Sequence, residues 1–203
     1  MMRTLLLLVA VGACSTATPR PRTTDAALDW KRVATRQDMD RVTAWRTAFT
    51  AALSGARKAG HGAAIVREGA LLDPDAALGG PAPAAGNYRC RTIKLGSASA
   101  GMLSFIAYPH FACSIEDQRG VLAFTKLTGS QRPVGLIFPG DGPRRIFLGT
   151  LVLGDETRAL DYGRDATRDM AGAVERIGDN RWRLILPYPR FESVMDVIEL
   201  VPV

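Results

Sequence analysis

Three cysteines carry the most definite chemistry in this chain of 203 residues. Cys14 closes Val11-Gly12-Ala13-Cys14, behind a basic Arg3 and the apolar run from Leu5 to Val9. A short basic start, a short apolar core and small residues before a cysteine form a bacterial secretory signal of the lipoprotein kind. The run is well below the roughly 20 apolar residues that a membrane-spanning helix needs. The pattern predicts removal of residues 1–13 and acylation of Cys14, whose expected partner is then the lipid bilayer. Ser15 follows the cysteine where an aspartate does not, which resembles the order sorted to the periplasmic face of the outer membrane. The other reading is an ordinary signal peptide cut elsewhere, with Cys14 discarded. If Cys14 is acylated, Cys90 and Cys113 remain as an even pair. In an oxidising compartment such a pair is expected to form a disulfide, the alternative being two buried free thiols. Closing that loop contributes about 3 kcal/mol in the chain-entropy account.

Catalytic chemistry has little to stand on. The chain has two histidines, His61 and His110, in separate segments and without metal-ligand spacing, so no metal site is expected. It has no CxxC, no G-x-S-x-G nucleophile elbow, no Walker loop and no G-x-G-x-x-G between a strand and a helix. No catalytic residue and no cofactor are therefore expected. Carboxylates are available at Asp155, Glu156, Asp161, Asp165, Asp169, Glu192 and Asp196. A hydrolase would need two of them roughly 5 to 10 Å apart across a cleft.

Two segments are candidate binding elements. The stretch 124–133 gathers hydroxyls, an amide and two cations around a turn between apolar runs. Lys126, Thr128, Ser130, Gln131 and Arg132 would meet a sugar, phosphate or carboxylate there. Read otherwise, Thr128, Ser130 and Gln131 satisfy local backbone and Gly129 supplies a turn conformation. The second segment, 182–191, sets Trp182, Tyr188, Arg190 and Phe191 at a strand end, as a ligand rim or a partner patch. Trp182 and Phe191 can equally close a core.

The elements that must position these residues follow from periodicity. Residues 15–24, with Pro19 and Pro21 and no apolar period, read as a tether after the anchor. Thr35 is a helix N-cap with Asp38 three residues on. Val42, Trp45, Phe49, Ala52, Leu53 and Ala56 then form one helical face, which suits a partner or, more simply, its own domain. A shorter helix is expected over 63–72, stopped before Asp73-Pro74. The Gly, Pro and Ala residues of 79–86 join a helical segment (25–78) to a β domain (79–203).

Strands are expected at 88–95, 104–116, 121–127, 133–138, 145–153, 170–177, 181–186 and 194–201, with turn residues between them. Eight strands at near-regular spacing predict an antiparallel barrel with helices packed against it, or alternatively a β-sandwich. If Cys90 lies opposite Cys113, Tyr88 falls opposite Ile115 and Thr92 opposite Phe111. Arg89 and Arg91 then take the other face.

With 47% hydrophobic and 23% charged residues the chain can bury a core. Its net charge of +6 suits anionic lipids or envelope polymers. No nucleic acid is expected as a partner of an exported protein, and the scattered arginines can also serve solubility alone.

Several phrases add a resemblance. Asp29-Trp30, Gly69-Ala70-Leu71-Leu72, Gly86-Asn87-Tyr88-Arg89-Cys90-Arg91, 126–132 (KLTGSQR), Leu148-Gly149-Thr150 and the closing stretch from Arg181-Trp182-Arg183-Leu184 to Leu200 belong together. They resemble an uncharacterised domain-of-unknown-function family, number 4893, of proteobacterial exported proteins. The likeness covers nearly all of the mature chain and implies a common fold. It implies no activity, cofactor or catalytic residue. The Gly86-x-Tyr88 entry also looks like the opening of calycin (lipocalin-type) barrels, an analogy of fold and not of function. The first expectation is an envelope lipoprotein that binds a small apolar or amphipathic ligand without catalysis. The second is an interaction lipoprotein that meets an envelope partner or polymer through a basic outer face including Arg89 and Arg91. The third is a carboxylate-dependent hydrolase.

Overall fold

The computed structural model describes residues 29–203; the expected signal, Cys14 and the tether lie outside the described residues. Eight strands run β1 Gly86–Ser97, β2 Phe105–Gln118, β3 Val121–Lys126, β4 Gln131–Phe138, β5 Arg144–Leu153, β6 Asp169–Gly178, β7 Arg181–Pro187 and β8 Ser193–Pro202. Each pairs antiparallel with the next, and β8 pairs back onto β1, so the sheet is a closed barrel. The full β1–β8 ladder decides for a barrel over a sandwich.

Three helices precede the barrel: α1 Arg36–Thr43, α2 Trp45–Lys58 and α3 Gly62–Glu68. The Thr35 hydroxyl accepts from the Asp38 amide at 3.2 Å and starts α1. The single long helix expected from this point breaks at Ala44. The break lets α1 pack on β6 while α2 packs on β1, β7 and β8. The shorter helix expected over 63–72 forms as α3 and ends at Glu68, because Gly69 leaves helical geometry at φ 55°, and a 3-10 turn Gly69–Leu72 follows.

Period-two alternation sends the sequence to two cores. Tyr88, Cys90, Ile115, Phe124, Phe147, Leu184 and Leu200 point inward and pack together. Ile93, Leu95, Ala171, Ile185, Met195 and Val197 point outward, where Phe49, Ala52, Leu53 and Ala56 of α2 cover them. Strands β6 to β8 are buried on both faces, so they read as almost unbroken apolar runs. The helix comes so close that a Cβ on Gly96, whose φ is +68°, would stand 2.9 Å from the Ala52 Cα.

The disulfide Cys90–Cys113 is formed, but in a register two residues from the expected one. Tyr88 lies opposite Cys113, and Cys90 opposite Phe111. The bridge thus joins diagonal neighbours, their Cα atoms 5.9 Å apart. A two-residue shift preserves which face a side chain occupies, so the inward placement of Tyr88, Cys90 and Cys113 stands. One extra β2 residue, at Tyr108-Pro109, separates the Arg91–His110 and Ile93–Ala107 pairs. Proline lacks an amide to offer a ladder, and a bulge accommodates it.

The helices are held to the barrel by buried charge. Arg183 and Glu175 are both fully buried on neighbouring strands. Arg183 Nε donates to Glu175 at 2.7 Å, and its Nη1 donates to the carbonyls of Ala70, Leu71 and Asp73 at 3.0, 2.9 and 2.8 Å. Arg144 takes the other Glu175 oxygen at 2.5 Å. On the next strands Arg91 pairs with Glu68 of α3 and with Glu199, which Arg181 also reaches. Replacing Glu175 by Gln leaves Arg183 buried without its counter-charge, an expected cost of about 3 to 5 kcal/mol. The check is the urea midpoint of Glu175→Gln, with amide exchange in α2 and α3 rising more than in β2 and β3. An unchanged midpoint would show that the pair is dispensable.

Candidate functional site

Strand parity gives the barrel two unlike ends. The connections β1–β2, β3–β4, β5–β6 and β7–β8 gather at one end, and there the interior opens as a cavity of about 170 Å³. Its floor is the inner core, through Leu151, Met170 and Ile198; its walls are polar. Both candidate segments reach it. The β3–β4 connection contributes Lys126, Ser130 and Gln131, and the β7–β8 connection contributes Arg190 and Phe191.

Four of the expected residues do not line it. The Thr128 hydroxyl accepts from the Ala112 amide at 3.0 Å and ties its turn to β2. Arg132 donates to the carbonyls of Gly129, Gly154 and Glu156 at 2.7, 2.6 and 2.7 Å, tying the turn to the β5–β6 loop. Tyr188 stands 39% exposed beside the mouth. Trp182 is at the opposite end, edge-on to Tyr88 with its indole donating to the Pro81 carbonyl at 3.3 Å. The five residues of β7 beyond it, Arg183–Pro187, run towards Arg190 and Phe191 and span about 17 Å at strand rise.

Lys126 occupies the inward phase of β3, two residues after Phe124, and is 4% exposed. Its Nζ donates to the carbonyls of Thr128 and Gln131, each at 2.9 Å, and lies 3.7 Å from the Phe111 ring centroid. The ring face and the two carbonyl dipoles attract a cation. No carboxylate pairs with it among the described residues. Burial, then the charges of Arg132 and Lys94, pull its pKa down to about 8.

Lys94 is in the opposite situation. Also 4% exposed, its amine meets Asp196 at 3.2 Å and Glu192 at 3.3 Å. Burial pulls its pKa down, but those two carboxylates outweigh it and hold it above the ordinary lysine value. Burial pushes the Asp196 carboxyl up, and Lys94 and the Ser193 hydroxyl, bonded to it at 2.5 Å, oppose that shift. Asp169, also pushed up by burial, lines the rim and accepts from the Gly163 amide at 2.9 Å. Arg168 on the rim is paired with Glu156.

Lys94 escaped the sequence reading, although its signal was there. Cys90, Thr92 and Lys94 alternate along one face of β1, so a lysine follows a buried cysteine inward. Asp196, Ile198 and Leu200 repeat the pattern on β8.

The family described as Domain of unknown function (DUF4893) matches residues 30–200, from the first helical turn to the end of β8. The chain belongs to that family. No curated protein and no solved structure matches the chain. The match takes in the helices as well as the barrel, so the mouth and its supports all lie within the DUF4893 unit. No group of three or more His, Cys, Asp or Glu residues suited to a metal ion occurs among the described residues.

Because the Lys126 pKa is lowered in the folded state, the unfolded chain holds that proton more tightly. The cost of burying the charge is present in full below pH 8 and is relieved as pH rises from about 8 towards the unperturbed value of about 10.4. Wild type should therefore gain stability relative to Lys126→Met across that window, read from unfolding midpoints at pH 7 and 9.5. A difference independent of pH would mean an ordinary solvated lysine.

Proposed function

We propose that this DUF4893 chain is a non-catalytic binding module of the cell envelope. It takes a small anionic, amphipathic ligand into the barrel mouth and is held at the periplasmic face of the outer membrane through acylated Cys14. The observation that carries this reading is Lys126: a buried ammonium on a cavity wall, bonded only to carbonyls and a ring, which an anionic group would complete. Arg190, whose Nε donates to the Ala166 carbonyl at 3.0 Å, adds a second cation at the rim. The leucine, methionine and isoleucine of the floor favour an apolar remainder.

Size limits that remainder. A cavity of about 150 Å³ takes benzene, and this one is about 170 Å³. Beneath it Phe124, Phe147, Leu184 and Leu200 are fully buried and occupy the interior that a long acyl chain would need. The ligand is thus a ring or a short chain bearing a carboxylate or a similar anion. No helix among the described residues is long and apolar enough to cross a membrane, and attachment in this reading rests on the lipid.

The interaction reading has less support on the basic face. Arg91 is spent on Glu68 and Glu199, and only Arg89 of the two stays exposed. A hydrolase has its acids in a concave site, since Glu192 and Asp196 both line the cavity. Those two converge on the single Lys94 ammonium and are held by it, and Asp169, the third acid of the lining, accepts from the Gly163 amide.

Native mass spectrometry of the oxidised domain (residues 25–203), exported without the lipid anchor and purified from the periplasm, tests the proposal. The expected result is a stoichiometric extra mass that disappears on denaturation and is absent from Lys126→Met. Retention should weaken as pH rises past 8, where the amine loses its charge. A bare mass at pH 7 overturns the ligand reading and returns the interaction lipoprotein to first place.

A further inference from the structure

The far end of the barrel holds a second cavity, polar and of about 50 Å³, between the 79–83 approach and the ends of β5 and β6. Arg145 and Arg176 both line it. Arg145 stands opposite Val174, and Arg176 follows two residues along the same inward face, opposite Trp182. The two arginines are therefore diagonal neighbours across a ladder, close enough for long side chains to interact. Neither can shed its charge, because a guanidinium stays protonated in a protein.

Their bonding is incomplete. Arg176 donates to the Gly79 carbonyl at 3.2 Å and to Asp179 at 3.0 Å, while its Nε is buried with no partner. Asp179 is fully exposed and screened by solvent. Arg144, adjacent in sequence, turns to the outer face and takes Glu175. Arg145 makes no ion pair and no side-chain hydrogen bond among the described residues. Like charges side by side on a sheet repel, and the recess exceeds the 10 to 15 Å³ or so that one water needs. A bound anion would resolve both the repulsion and the unmet donors.

We propose that this recess is a phosphate site, in which Arg145 and Arg176 clamp a phosphate group, free or carried as a phosphomonoester headgroup. A phosphate brings a charge of about −1.5 to −2 and three strong acceptor oxygens, which suits two fixed cations and their fork-shaped donors better than a single carboxylate does. The site is separate from the mouth and does not depend on the ligand proposed there.

The test is thermal unfolding of the purified protein across a series of inorganic phosphate concentrations, with sodium chloride holding ionic strength constant. The expected result is a saturable rise in midpoint. Arg145→Gln should weaken the response by about tenfold or more, the loss of one charge-assisted pair, and Arg145→Lys should keep part of it. Lys126→Met should leave it intact. Arg145 is half-buried and bonded to no other side chain, so Arg145→Gln is expected to fold normally. A midpoint that follows ionic strength alone, or an Arg145→Gln response equal to wild type, overturns the proposal. Flotation with phosphatidylcholine vesicles, with and without phosphatidic acid, separates the sources. Binding to phosphatidic acid that Arg145→Gln loses identifies a headgroup; a phosphate response without vesicle binding identifies the free ion.

Discussion

Arg183 and Glu175 meet on the outer wall of the barrel, out of reach of water, and the helical half of the molecule depends on that meeting. Burying two charges costs several kcal/mol each in lost hydration, so such a pair holds only where its remaining donors and acceptors are also met. Here the Arg183 Nη1 donors are met by the chain that leaves α3. Residues 70, 71 and 73, in and just after the 3-10 turn, offer their carbonyls, and one guanidinium nitrogen collects them. The Phe49 ring lies 5.2 Å from the same guanidinium. One residue thus joins β6, β7, the 3-10 turn and α2, and the apolar stripe of α2 comes down on the strands beside it.

That docking gives the barrel wall two dry faces on one side, and it frees the interior for another use. The inner core lies towards the end nearest Trp182, where Cys90–Cys113, Phe124 and Phe147 are buried in one cluster. Towards the other end the inward positions become Thr92, Lys94, Lys126, Gln131 and Asp196, and a packed core gives way to a cavity. The two lysines divide the work. Lys94 is fixed between two carboxylates and acts as a brace between β1 and β8. Lys126 has only dipoles and a ring around it, so its charge is available to something that arrives.

Much of this was legible from the residues, and the failures have physical causes. Eight β runs stood out because Gly, Asp, Asn and Pro punctuate them. Their near-regular spacing pointed to a barrel, with a sandwich as the alternative, and the choice between them rested on a contact no local pattern announces: the β1–β8 ladder that sets Arg91 beside Glu199, 108 residues away. The hairpin register was read two residues off because such a shift leaves every side chain on its face, and apolar alternation cannot detect it. Arg183 drew no reading of its own, because the helical segment that buries it leaves no mark at that position in the sequence. Trp182 and Phe191 were grouped by nearness in sequence, although a strand of seven residues carries them to opposite ends.

The order of elements along the chain has a consequence for how this molecule comes into being. α2 is made early, yet its seat is composed of β1, β7 and β8, the last two of which are the final strands to be synthesised. Until they arrive, Phe49, Leu53 and Ala56 have no surface to cover, and β1 has its neighbour on one side only. The seam is thus a non-local contact, of the kind that slows folding and prolongs exposure of apolar surface. Synthesis from the N-terminus delivers the helix first and the strands that complete its shelter last. Such an order places a premium on whatever shields that stripe in the interval.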